Sequence, residues 1–200
     1  MKERVIFLKK IGSIEDYRLI RLQKDLQWIL KTIYEGFKIK IHPETFQLLN
    51  CEYHVLKKQY NADFIFERFI TCMQNQRFFR ILGLMDQDIY SLFKNFVFGR
   101  ALKPKKRFLK YKSVALLSIT RLKENFYGRE SESSLLEMRI LKESIHELGH
   151  TFGLKHCKNE CVMAFSKSVY YVDKKSLEFC DDCLKKIKLS LSYLDQDKDS

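Results

Sequence analysis

The chain has 200 residues, of which 37 are Lys or Arg and 25 are Asp or Glu, so its formal net charge is +12. Hydrophobic residues make up 46% of the chain, and only seven glycines and two prolines interrupt it. This composition excludes collagen-like, linker-rich and disordered proteins and predicts one compact domain over residues 1–200.

The apolar segments are too short to cross a membrane. Runs such as Val114 to Ile119 fall well below the roughly 20 residues that a membrane-spanning helix needs. Lysines interrupt the apolar stretch near the N-terminus after four residues, which is too early for the core of a signal peptide. We therefore expect a monomeric, cytoplasmic protein without a membrane partner.

In chain order, the first two thirds alternate between strand and helix patterns. Apolar residues at spacings of three and four predict helices from Leu19 to Ile33 and over Asp63–Cys72. The strands are predicted at Val5–Leu8, Phe37–Ile41, Phe78–Leu84, Phe96–Phe98 and Val114–Ile119. Residues 44–60 match neither pattern clearly. The alternation predicts an α/β sheet.

The clearest predicted helix begins at Ser134, where Ser134-Leu135-Leu136-Glu137 has the Ser-x-x-Glu form of a capping box. An apolar stripe runs from Met138 to Phe152, and Gly153 is expected to end the helix. A last amphipathic helix follows Cys183. We place one subdomain boundary at Gly153, between an N-terminal α/β part, 1–153, and a C-terminal part, 154–200.

Two histidines on this helix have the spacing of ligands for one metal ion. His146 and His150 are four residues apart, so both imidazoles project from one helix face. Gly153 permits a positive-φ turn that brings His156 to the same ion. Three imidazoles with an open fourth position describe a catalytic zinc. Glu147 lies beside the first ligand, where its carboxylate reaches a zinc-bound water as general base and acid.

Four cysteines near the C-terminus predict a second metal site. These residues are Cys157, Cys161, Cys180 and Cys183. Their pairs have the short gaps of structural zinc knuckles, and polar residues fill the loops between them. The cluster therefore predicts a closed zinc site and two zinc ions per chain; the alternative is four buried free thiols. Cys51 and Cys72 stand alone and are not expected to bind metal.

Taken together, these motifs resemble the archaemetzincins, a family of metzincin-type zinc peptidases. The resemblance rests on the string from His146 to Cys157, on Cys161-Val162-Met163 and on Cys180-Asp181-Asp182-Cys183. Weaker blocks extend upstream, so that it covers roughly residues 77–190. The chain departs from the family pattern in one place, because three residues rather than four separate Cys157 from Cys161.

The resemblance implies a metzincin-like zincin fold, with a twisted, mixed and mostly parallel sheet above the histidine helix. Its antiparallel edge strand would be Phe96 to Leu102, which could pair with an extended peptide. The smaller C-terminal subdomain would contain a methionine turn at Met163, the four-cysteine zinc site and the terminal helix. The implied activity is zinc-dependent hydrolysis of peptide bonds in a peptide or protein substrate.

Two other functions stay open. A small basic family of zinc ribonucleases also uses His-x3-His-x5-His, although Glu147 suits peptide hydrolysis and those enzymes do not account for the four cysteines. The motif could also persist in a zinc-stabilised binding protein without catalysis. Six basic residues lie between Lys103 and Lys112. No nucleic-acid motif accompanies them, so we do not expect nucleic acid as a partner.

Overall fold

The structure is a computed structural model that describes residues 3–104 and 112–196, with side chains up to residue 192. In these ranges the strands are β1 Arg4–Ile11, β2 Phe37–Ile41, β3 Tyr53–His54, β4 Gln59–Asn61, β5 Arg80–Met85, β6 Ile89–Tyr90, β7 Gly99–Ala101 and β8 Ser113–Ser118. The α-helices are α1 Asp16–Ile33, α2 Ala62–Met73, α3 Ser133–Thr151, α4 Val169–Lys174 and α5 Asp181–Gln196. None of the helices described is long and apolar enough to span a membrane.

The main sheet has five strands in the order β2-β1-β5-β8-β7. The first four are parallel to one another, and β7 pairs with β8 in the antiparallel sense at the edge. Every residue of β5 and β8 is buried, as expected for parallel strands that are covered on both faces. The predicted mixed α/β sheet with an antiparallel edge is confirmed.

Helices cover both faces of this sheet. One face packs against α1 and α3, through residues such as Leu22, Leu26 and Ile145. The other face packs against α2, through Phe66 and Phe69. Because α3 lies under the β7 edge of the sheet, the residues on its sheet-facing side are placed next to the edge strand.

A second, three-stranded sheet in the order β3-β4-β6 lies within residues 53–90. Strand β4 is antiparallel to β3 and parallel to β6. These strands are two or three residues long, which is too short for a period-two pattern to be visible in the sequence. This is why residues 44–60 matched no element.

Three predicted details are wrong. Residues 96–98 form no strand, because their backbone bonds go to different strands: Val97 N donates to Ile89 O at 3.1 Å, and Phe98 O accepts from Ser118 N at 2.8 Å. The edge strand is therefore confined to Gly99–Ala101 rather than Phe96–Leu102.

The capping box at Ser134 is also absent. Helix α3 begins at Ser133, and its N-cap residue Glu132 makes no side-chain cap bond. Glu137 is buried instead and forms an ion pair with Arg18 Nη1 at 2.5 Å, which joins α3 to α1. Met138, which the stripe placed on the apolar face, is exposed.

The remaining boundaries agree with the sequence to within a few residues. Gly153 has φ +86° and follows the end of α3, as predicted. The division into 1–153 and 154–200 stays a prediction. In the predicted basic run, Lys105, Lys106, Arg107 and Lys110 lie outside the described residues.

Arg80 joins the sheet to the last turn of α3. It is fully buried at the start of β5, and its Nε donates to Thr151 O at 3.1 Å. The guanidinium lies 3.9 Å from the centroid of Phe79 and 5.4 Å from that of Phe152. Burial, and then the charge of Arg4, lower the pKa of Arg80 to about 9, so it remains a cation at neutral pH. A cation at a helix C-terminus is favoured by the helix dipole.

We expect Arg80→Met to lower the free energy of unfolding by about 2–3 kcal/mol, because it removes a charged donor from a buried carbonyl. Urea denaturation measures this change. Arg77→Met is the matched control, since Arg77 is exposed three residues earlier and its replacement should change stability little. Equal losses in the two variants would contradict a role for Arg80 at the helix end.

Candidate active site

The three predicted histidines lie together at the C-terminal end of α3. Their ring centroids are 4.7, 4.9 and 5.3 Å apart, and one nitrogen from each lies within 4.8 Å of the others. His146 and His150 come from one face of the helix. The chain then turns at Gly153, where Leu154 N donates to Gly149 O at 3.2 Å, and returns with His156 facing the pair.

Backbone carbonyls hold the two helical imidazoles. The Nδ1 of His146 lies 2.9 Å from Val162 O, and the Nδ1 of His150 lies 2.7 Å from Leu154 O. A carbonyl oxygen only accepts, so each Nδ1 carries the proton and each Nε2 keeps a free lone pair. Burial lowers the pKa of His146 well below its usual value and that of His150 to about 4. Both rings are therefore neutral, which is the form that binds metal.

Glu147 is buried between α3 and the edge strand. A Cβ atom at Gly99 would lie 2.6 Å from Glu147 Oε1 and 2.6 Å from Leu116 O, so only glycine allows β7 to run this close. The other carboxylate oxygen, Oε2, is buried without a hydrogen-bond partner among the described residues. Burial, and then the charge of Glu143, raise the pKa of Glu147 to about 8.

These observations show that the residues fit a catalytic zinc. Three imidazoles converge on one point, and three nitrogen ligands leave a position open for water. Burying a carboxylate oxygen without a hydrogen-bond donor costs free energy. A water at the open position would supply that donor.

Met163 lies in a turn beneath α3, as the resemblance implied. The turn is closed by Ala164 N, which donates to Cys161 O at 2.9 Å. A Cβ atom at Gly149 would overlap the Met163 sulfur, so the helix and the turn are in contact through a residue without a side chain. The sequence motif gave no reason for a glycine at this position.

The four predicted cysteines also lie together, and none is in a disulfide. Their sulfurs are within 4.8 Å of one another. Cys157 Sγ and Cys180 Sγ are 3.8 Å apart, which matches the edge of about 3.8 Å of a tetrahedron with Zn–S bonds of about 2.3 Å. A backbone bond from Cys183 lowers the pKa of Cys180 to about 7. The exposed Cys51 and Cys72 are not part of the cluster.

One feature of the cleft wall was missed in the sequence. Glu143 lies one turn before Glu147, and its Oε1 is 2.5 Å from the Nζ of Lys175. Both side chains are buried, and Ser166 Oγ donates to the same oxygen at 3.4 Å. The spacing of four residues places Glu143 on the active-site face, but its partner lies 32 positions away and leaves no local signal.

The chain matches the model of Peptidase family M54 over residues 8–189. It belongs to this family. The resemblance to the archaemetzincins is thereby confirmed, and the enzyme is a zinc metallopeptidase. Membership of a peptidase family is not what the ribonuclease or the binding-protein alternative predicts.

Curated relatives and solved structures agree with the family. The chain is 40% identical to the archaemetzincin of Sulfolobus acidocaldarius over 78% of this chain and 83% of the relative. It is 34% identical to that of Thermococcus kodakarensis over 96% and 99%. The archaemetzincin structure from Methanopyrus kandleri matches with a TM-score of 0.71 at 28% identity, covering 95% and 96%. The Archaeoglobus fulgidus structure, complexed with malonate, gives 0.66 at 31%, covering 91% and 99%.

The contact between Gly99 and Glu147 is testable. We expect Gly99→Ala to lower kcat/KM for a cleaved peptide at least tenfold, because the new Cβ must displace β7 or the carboxylate. Ala101→Gly, on the same strand, is the matched control and should have a much smaller effect. If Gly99→Ala kept the wild-type kcat/KM, the carboxylate that acts in catalysis would not be in contact with β7.

Proposed function

We propose that this M54 peptidase cleaves peptide bonds at the three-histidine centre, with Glu147 as general base and then general acid. One observation carries the proposal: the buried Oε2 of Glu147, which has no hydrogen-bond partner among the described residues, lies beside three converging imidazoles and next to an open strand edge. The three histidines, Glu147 and the open strand edge form a complete set of groups for the reaction within one chain, so no residue of a second copy is needed, and we propose that a monomer is active.

His146, His150 and His156 would hold a zinc ion, the first two through Nε2. Zinc at this point supplies a Lewis acid that lowers the pKa of water and polarises the scissile carbonyl. The Nδ1 bonds to Val162 and Leu154 keep the two helical rings in the orientation that this requires.

Glu147 would transfer a proton from the attacking water to the leaving amine. It accepts a proton from the attacking water as the water oxygen bonds to the carbonyl carbon. It then gives this proton to the nitrogen of the leaving amine as the C–N bond breaks, and it regains its charge. Burial raises the pKa of Glu147 to about 8, and the charge of a zinc ion held by the three histidines would lower it again, so that the carboxylate form is available to accept the proton.

Strand β7 would align the substrate. Phe98 O and Leu102 N bond to β8, at 2.8 and 2.9 Å. Because backbone groups alternate along an antiparallel strand, those of Gly99 and Ala101 face outward. An extended peptide that pairs with this edge passes over Glu147.

We also propose that the four cysteines bind a second, structural zinc. Cys157 directly follows His156, so the cluster would hold the returning segment that carries the third histidine. The loop between Cys157 and Cys161 is exposed and has little apolar surface to bury, so a metal would supply its stability.

The zinc content of variants distinguishes the role of Glu147 from that of His156. We expect Glu147→Gln to keep both zinc ions and the fold while losing at least about 100-fold in kcat, because the water loses its base. His156→Ala should lose the catalytic zinc, since two imidazoles do not complete the site. Elemental analysis and a peptide cleavage assay measure both effects. Glu160→Gln, an exposed carboxylate on the neighbouring loop, is the control.

Cleavage at the wild-type rate by Glu147→Gln would contradict its role as base and acid. If wild type cut RNA but no peptide, the ribonuclease hypothesis would replace this one.

The two-zinc proposal predicts unequal consequences of ligand loss. Cys180→Ser should bind one zinc fewer and melt at least about 10 °C lower, because a structural zinc stabilises only the folded chain. His150→Ala should also lose one zinc but melt close to wild type. Cys72→Ser is the control, as Cys72 is exposed and outside the cluster. A freshly purified, folded wild type with a single zinc would contradict two sites.

A further inference from the structure

Three lysines surround the mouth of the cleft. Lys94, Lys103 and Lys167 line the cavity of about 510 Å³ that contains the histidines, and all three are exposed. They come from three separate segments: the turn after β6, the chain after β7 and the loop between Met163 and α4. Within residues 3–104 and 112–192, no carboxylate forms an ion pair with any of them.

The other charges in the cleft do not cancel these three. Arg100 forms an ion pair with the buried Asp63, and Glu143 forms one with Lys175. Among the described lining residues, this leaves Glu147 as the acidic side chain without a cationic partner. Three positive charges therefore face one carboxylate, and a bound zinc would add to the positive side.

Lys94 is held close to the third histidine. Its turn is closed by Ser91 N and Lys94 N, which donate to Lys94 O and Ser91 O at 3.2 and 2.9 Å. Its ammonium lies 5.0 Å from the ring centroid of Phe165, and that ring lies 4.8 Å from the ring of His156. Lys94 therefore places a positive charge beside the ring that packs against the third histidine.

Lys103 follows the edge strand that would pair with a substrate. It lies four residues beyond Gly99, a reach of about 13 Å along an extended chain. A peptide paired with β7 over Glu147 would carry residues up to about four positions from the scissile bond past Lys103. Lys94 and Lys167 line the same cavity as the three histidines: Lys94 lies against the Phe165 ring, and Lys167 follows Phe165 by two residues.

We propose that the cleft selects peptides that carry carboxylates within about four residues of the scissile bond, bound by Lys94, Lys103 and Lys167. The inference rests on peptide hydrolysis at the three-histidine centre. The carboxylate could be an Asp or Glu side chain or the free C-terminus of the peptide, which have the same chemistry. A peptide is favoured over RNA because the outward backbone groups of β7 match an extended peptide.

The test uses the zinc-loaded enzyme and a cleavable quenched peptide. Glu replaces Gln at one position at a time, from four residues before the scissile bond to three after it, with each peptide made as the C-terminal acid and as the amide. We expect Glu to raise kcat/KM about two- to fivefold per favourable position, as for exposed ion pairs. The gain should fall as salt is raised from about 50 to 500 mM. A gain that survives amidation assigns the side chain; one lost on amidation assigns the C-terminus.

Two sets of variants identify the residues. The triple variant Lys94→Gln, Lys103→Gln and Lys167→Gln should reduce the Glu-to-Gln ratio of kcat/KM to about one. Its control carries Lys24→Gln, Lys185→Gln and Lys188→Gln, the same loss of charge at exposed positions on α1 and α5, and should keep the wild-type ratio. Lys103→Glu should invert the preference toward peptides with Lys near the bond.

The possible failures are distinguishable. If wild type cleaves the neutral and acidic peptides equally, the preference is wrong while peptide hydrolysis stands. If the control triple variant loses the preference as fully as the cleft variant, net charge rather than these lysines is responsible, and the assignment is wrong. Cleavage of an RNA oligonucleotide, abolished by Glu147→Gln and without cleavage of any peptide, would overturn both proposals.

Discussion

Two hydrogen bonds fix the orientation of the two histidines that α3 contributes to the candidate site. The helical spacing fixes the backbone positions of His146 and His150, but it leaves each imidazole free to rotate about its side-chain bonds. The carbonyl oxygens of Val162 and Leu154 accept from their Nδ1 atoms and remove that freedom. Both carbonyls belong to the segment that leaves α3 at Gly153 and returns beneath it. The geometry of the site therefore depends on the path of this segment rather than on the helix alone.

Contacts with the cysteine cluster and with α3 fix that path. Cys157 N donates to Met163 O at 2.9 Å, and Cys161 Sγ accepts from the backbone of Met163 and of Cys180. Met163 in turn fills the space that Gly149 leaves open on the helix. The side chains around Cys157 are mostly exposed, so the hydrophobic effect adds little here. A cluster of sulfurs placed one residue after His156 is therefore well positioned to keep both carbonyls in register with the rings.

The sequence predicted what local spacing determines. The helix around His146, the turn at Gly153, the grouping of the three histidines and the two close cysteine pairs were predicted, because each depends on residues a few positions apart. It failed where a distant partner decides the outcome. Glu137 fits a capping box, yet its carboxylate is taken by Arg18, 119 residues away. The same cause explains three other failures: the wrong strand at 96–98, the missed pair of Glu143 with Lys175 and the missed need for Gly99. Each is set by packing between segments far apart in the chain.

The two walls of the cleft are built from separate segments of the chain, and each packs against α3. In the upper wall, Asp63 accepts from Ser91 Oγ and Leu92 N and forms an ion pair with Arg100, which ties the Lys94 turn to β7. The lower wall is the returning segment with its methionine turn. The upper wall touches α3 through Gly99 against Glu147, and the lower wall touches it through Gly149 against Met163. In each contact one partner is a glycine, so backbone packs directly against a side chain. Neither wall can therefore move closer to α3 to accommodate a displacement of the other. Two glycines that no metal-ligand motif identifies therefore permit the close approach of both walls to α3.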